Sequence, residues 1–166
     1  MYEFKSKLRQ GEAEEAELDR EFSRRWQFKC RPVSMALQRL GIDRIWEAPD
    51  GRRFSVEYKA DWTAARTGNV FIETVSVDSE GVPGWALTSL AQLLVYYIPP
   101  LKLAYVVYMT AIKKQLHKWF GRYEQKAVPN GRDGETVYRT LGLAVPLAEF
   151  ERDCKPQTVV VGAGDN

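Results

Sequence analysis

The stretch VEYKAD, residues 56–61, sets Glu57 and Lys59 two positions apart in a run that otherwise reads as a buried strand. Side chains two apart in an extended strand point to the same face, so a carboxylate and an ammonium would stand side by side. Hairpin arithmetic brings in a second acid. IDRIWEAPDGRRFSVEYKA is two β-rich runs around Ala48-Pro49-Asp50-Gly51-Arg52, which suits a type I turn closed by a glycine at positive φ. With Pro49, Asp50 and Gly51 as the loop, Ala48 pairs with Arg52 and Asp43 falls opposite Glu57. Asp43, Ile45, Ser55, Glu57 and Lys59 then share one face, and Trp46, Phe54, Val56 and Tyr58 share the other. Opposed carboxylates repel and call for a cation. Lys59 is near, and a divalent ion suits two oxygen ligands: Mg²⁺ commonly takes one or two carboxylates and keeps several waters. The plain alternative is an amphipathic hairpin with a solvated face.

The elements that must position these groups are partly legible. A segment from about Glu12 to Trp26 runs from acidic to basic, as a helix dipole favours, and Leu18, Phe22 and Trp26 repeat at helical spacing. Three residues before Leu18 this stripe reaches Glu15, either an inward-facing acid or a boundary residue on a charged turn. PVSMALQRLG is amphipathic, but its period does not separate helix from strand. NVFIETVSV reads as a strand with Glu73 inside it, and SVDSEGVPGW reads as a loop ending at Trp85. Leu87, Leu90, Leu94 and Tyr97 predict a helix stopped by Pro99 and Pro100, and LAYVVYM predicts a strand. TAIKKQLHKWF predicts a helix capped by Thr110, with Ile112, Leu116 and Trp119 inward and Lys113, Lys114, His117 and Lys118 outward. Residues 121–135 read as polar with turns at Asn130-Gly131 and Asp133-Gly134; TVYRTLGLAVPLAEF reads as a strand with a short helical end. The fold class expected is α/β, a mixed central sheet flanked by helices, as one domain over 1–160 with a flexible tail at 161–166.

Composition bounds the function without naming it. A chain of 166 residues with 45% hydrophobic content can fill one core. Its 24 Lys+Arg against 22 Asp+Glu leave a formal +2, which neither selects nor excludes a polyanionic partner. Cys30 and Cys154 lie far apart, and His117 is the only histidine, so a zinc site is not expected and reduced thiols are. No secretory signal is read in MYEFKSKLRQ, and LLVYYI and LAYVVYM are too short to span a membrane.

Asp43 at the start of one strand, Glu57-Tyr58-Lys59 on the next and an acid on a preceding helix resemble the PD-(D/E)XK nucleases, the restriction-endonuclease-like superfamily. QRLGIDRIW, VEYKAD and TGNVFIE are similar to small phage and bacterial members, and the resemblance covers about residues 5–110. Ile42 stands where the family's nominal proline would be, and the helix acid can be read as Glu15, Glu12 or Glu14. The resemblance implies an αβββαβ core and a catalytic set of Asp43, Glu57, Lys59 and Glu15. Asp43, Glu57 and Glu15 would hold Mg²⁺, with Mn²⁺ as a substitute, and Lys59 would assist the attacking water or stabilise phosphate charge. Glu73 falls where a glutamate recurs in such sequences, so it supports the site or else faces solvent. Gln92 and Tyr96 match the Q-x-x-x-Y spacing of a helix in RecB-like members, and Trp85 either stacks on a base or plugs the core. The expected activity is metal-dependent hydrolysis of DNA phosphodiester bonds in a bacterial or phage-infected cytoplasm, and the resemblance leaves a homodimer open, since many small members cut two strands as dimers. The alternative is an inactive module of the same fold that binds nucleic acid or protein.

Overall fold

The computed structural model describes residues 2–132 and 135–162, with the side chains of 9–131 and 136–162. Its first helix, α1 (Tyr2–Trp26), starts well before the acidic turn that the dipole pattern marks. Leu18 and Phe22 are fully buried on its inward face, and Trp26 packs edge-on against Trp46. Burial of each such side chain contributes about 1.5–3 kcal/mol, so this stripe fixes which side of α1 meets the sheet. β1 (Lys29–Pro32) and the one-turn α2 (Met35–Gln38) follow, then the hairpin of β2 (Arg44–Glu47) and β3 (Arg53–Ala60). The hairpin has the expected register, with Arg44 opposite Val56 and Glu47 opposite Arg53. Ala48 N donates to Arg52 O at 2.8 Å, and Gly51 at φ +84° closes the three-residue loop.

Beyond β3 come α3 (Ala64–Thr67), β4 (Asn69–Val77), β5 (Val82–Pro83) and α4 (Trp85–Thr88), before β6 (Leu93–Ile98) lies parallel to β3. The helix expected across Leu87 to Tyr97 is therefore a single turn followed by a strand. LLVYYI is buried at every position, and a strand covered on both faces loses the alternation that would distinguish it from a helix. Leu87 and Leu90, assigned to the inward stripe of that helix, are 47% and 61% exposed. β7 (Leu103–Tyr108) returns antiparallel and runs directly into α5 (Met109–Arg122), so Thr110 sits inside the first turn rather than capping it.

β8 (Gln125–Arg132), β9 (Glu135–Pro146), α6 (Leu147–Cys154) and β10 (Gln157–Val160) complete the chain. Residues 125–132, expected as polar loop, form a strand, and Asn130-Gly131 marks a register shift in it rather than a turn. The Asp133-Gly134 turn lies outside the described residues. Two sheets result: β1-β2-β3-β6-β7-β10, and β5-β4-β9-β8. The fold is mixed α/β, its larger sheet parallel only at β3–β6. Helix α1 followed by the β2–β3 hairpin stands as expected, but the rest of the αβββαβ order does not: β1 precedes the hairpin, NVFIETVSV joins the second sheet as β4, and a single turn, α4, stands where the helix before the last strand was expected.

Trp46, Val56, Tyr58, Val95 and Tyr97 bury one face of the larger sheet against α1. The opposite face packs Leu94, Tyr96 and Ile98 against α5, α6 and the second sheet. Val161 is buried, and Gly162 N donates to Glu21 at 3.0 Å, so these two residues of the expected flexible tail are held; 163–166 lie outside the described residues. Among the described residues no helix is long and apolar enough to cross a membrane.

In the second sheet, Gly142 lets the Phe71 ring lie across β9. A Cβ there would meet Phe71 Cζ at 2.6 Å and Ile72 O at 2.7 Å. Gly142→Ala is expected to cost about 1–3 kcal/mol through overpacking, read as a lower urea midpoint; an unchanged midpoint would show that Phe71 has room to move.

Candidate active site at the end of the β2–β3 hairpin

Asp43 precedes β2, where the backbone ladder with β3 is ending. Its N–H donates to Val56 O at 2.8 Å, and its Oδ2 accepts from Tyr58 N at 2.8 Å, so the carboxylate continues the ladder and is held beside β3. Glu57, 2% exposed, and Lys59 project from the other face of β3 than Val56 and Tyr58. Lys59 Nζ lies 2.8 Å from Glu57 Oε1. Glu57 Oε2 is buried with no hydrogen-bond partner among the described residues. A buried carboxylate oxygen without a donor is costly, and a cation is the partner its chemistry calls for.

The electrostatics join a fourth group to these three. Burial works against the Lys59 ammonium, but Glu57 and, more weakly, Asp43 and Glu73 outweigh it and hold its pKa above the ordinary lysine value. Lys59 is thus a fixed cation at neutral pH, not a proton acceptor, in this arrangement. Burial raises the Glu73 carboxyl despite Lys59, and its Oε1 accepts from Trp85 N at 3.4 Å. Glu73 therefore turns toward the motif rather than to bulk solvent. Among the described residues no three His, Cys, Asp or Glu side chains converge into a metal cage.

The helix acids separate. Glu15 lies near enough to Asp43 for the two charges to interact, and burial raises its pKa, but Arg44 Nη2 holds its Oε2 at 2.9 Å. The same guanidinium binds Asp19 at 2.9 Å, whose Oδ1 accepts from the Tyr58 hydroxyl, so this network clips α1 to the hairpin. Glu14 instead accepts from Trp62 Nε1 and Gln10, and Glu12 is exposed. Gln92 and Tyr96 flank and occupy strand β6, not a helix, which removes the Q-x-x-x-Y reading. Gln92 Oε1 accepts from Ser55 N at 3.0 Å, a sheet-extending contact. Tyr96 sits opposite Lys59, donates from its hydroxyl to Asp61 and accepts there from Phe71 N at 2.9 Å. Trp85 is 7% exposed within the core, so packing, not an open stacking face, accounts for most of its ring.

A cavity of about 410 Å³ opens beside Lys59, between the larger sheet and β4, β8 and β9. Asp61, Glu73 and Tyr96 line it; Asp43 and Glu57 lie outside its lining. Asp61 was missed as a site residue although the VEYKAD period of two puts it in step with Glu57 and Lys59. Lys126, Asn130 and Thr140 come from strands distant in sequence, and no local spacing marks them. No family model, curated protein or solved structure matches the chain.

Proposed function

We propose that the protein is a divalent-metal-dependent nuclease that hydrolyses DNA phosphodiester bonds. The observation that carries this reading is Glu57 Oε2, a buried carboxylate oxygen with no hydrogen-bond partner among the described residues, on the strand beside which Asp43 is held and next to the Lys59 ammonium. Asp43 and Glu57 would hold Mg²⁺ or Mn²⁺, both hard cations suited to a pair of carboxylates completed by water. The metal when bound supplies Lewis acidity and lowers the pKa of a coordinated water. Lys59, kept charged by its acidic neighbours, lines the cavity and offers a fixed positive charge to the phosphate as negative charge builds. Glu73 balances that cation from β4, and Tyr96 with Asp61 continues the wall beside Lys59 on the larger sheet.

A second reading, a module of this fold that binds without turnover, is favoured by the Arg44 guanidinium that engages Glu15 and withdraws the helix acid from a ligand role. Titration calorimetry with Mg²⁺ and Mn²⁺, followed by incubation with labelled duplex, nicked, branched and single-stranded DNA, tests the choice. Metal binding with strand scission is expected. Metal-independent DNA binding with no product would establish the second reading.

A further inference from the structure

We propose that the cavity beside Lys59 receives one unpaired nucleotide, so the substrate is a single strand or a frayed end and not an intact duplex. The inference rests on the nuclease reading for its Lys59 end and adds the class of substrate. Ligand pockets run from about 300 to 1,000 Å³, and the 410 Å³ here suits one nucleotide unit. A B-form duplex, with a major groove alone about 12 Å wide, cannot enter between the two sheets.

The lining is arranged for such a unit. Along β4, Val70 and Ile72 enter the core while Asn69, Phe71 and Glu73 face the cavity. Phe71, half-buried, lines the cavity with its ring reaching across Gly142, and an aromatic side chain is the kind of group on which a base stacks. Asn130 Nδ2 donates to Thr140 Oγ1 at 2.8 Å and to Val128 O at 3.2 Å, and the Thr140 hydroxyl donates to Ser76 O, so the amide is held in place with its Oδ1 left as the acceptor that can meet a base edge. Among the described residues Lys126 on the wall has one ion pair, an exposed one with Glu124 at 3.1 Å, a contact weak enough to yield to a phosphate. Lysines at two sides thus bracket a unit whose base lies on Phe71.

Binding can be read without turnover. Fluorescently labelled oligothymidylate and a blunt duplex of equal length are titrated with the full chain, once in EDTA and once with Ca²⁺. The single strand is expected to bind at least about tenfold more tightly, the worth of one stacked base. Asn130→Ala and Lys126→Glu, checked for unchanged melting, are expected to weaken single-strand binding several-fold and leave duplex binding unmoved. Equal affinity for both substrates in both buffers, or variants that bind single strand like the parent, would overturn the proposal. Competition by free thymidine monophosphate at the same nucleotide concentration as the strand would overturn it too, since the cavity would then serve a free mononucleotide. A strand preference without cleavage would leave this proposal standing and remove the nuclease reading; cleavage without the preference would do the reverse.

Discussion

Alanine at Lys59 is expected to lower cleavage by at least about 100-fold, the usual cost of losing one electrostatic or acid–base group, while Mg²⁺ binding holds or tightens. Lys59 Nζ stands 2.8 Å from Glu57 Oε1, so its removal frees a second carboxylate oxygen for the cation and takes away a competing charge. Asp43 should behave in the opposite way. Asp43→Ala removes a ligand and should abolish metal binding and cleavage together. Because Asp43 also accepts from Tyr58 N, Asp43→Asn is the sharper variant: it keeps an acceptor for that N–H and discards only the charge. Calorimetry and initial rates measured on the same preparations check the contrast. A Lys59→Ala protein that cuts at the parent rate with parent metal affinity would reduce the Glu57–Lys59 pair to an ordinary ion pair.

Leucine at Glu57 is expected to abolish cleavage and yet leave the melting temperature unchanged or higher. Glu57 is 2% exposed and one of its oxygens has no partner among the described residues, so the metal-free fold bears a desolvation cost there. Removing one member of a fully buried ion pair usually costs about 3–5 kcal/mol, because the other charge is left buried, but here only the carboxylate is deeply buried. Lys59 keeps 37% of its side-chain exposure and can turn to water when its partner goes. Thermal melts in EDTA isolate this effect from metal binding. A large fall in melting temperature would show that Glu57 serves the fold, and the case for a cation there would fail.

What could be read from the sequence follows from the range of the interactions involved. The hairpin register depended on one turn, Pro49-Asp50-Gly51, and so the opposition of Asp43 and Glu57 was fixed by local chemistry. The α1 stripe at Leu18 and Phe22 was legible for the same reason. LLVYYI was not, because burial on both faces erases the period on which the choice between helix and strand rests. The site divides along the same line. Glu57 and Lys59 lie on one short strand, whereas Arg44 capturing Glu15 depends on the packing of α1, and the Lys126, Asn130 and Thr140 wall depends on a second sheet. Glu15 shows the limit of stripe arithmetic: the spacing placed it toward Asp43, but only the packed helix revealed the guanidinium that holds it.

The parallel pairing of β3 with β6 has a kinetic consequence. The β2–β3 hairpin closes over three residues, but β6 reaches β3 only after residues 61–92 have been looped out, a segment that includes β4. Loop-closure entropy and the slow formation of non-local pairings set the order of events. Asp43 and Glu57 are brought together early by a local turn, and Tyr96 arrives opposite Lys59 late. The acidic pair is thus assembled in partly folded chains before the strand that flanks it, and any cation it attracts at that stage would act on folding before it acts on a substrate.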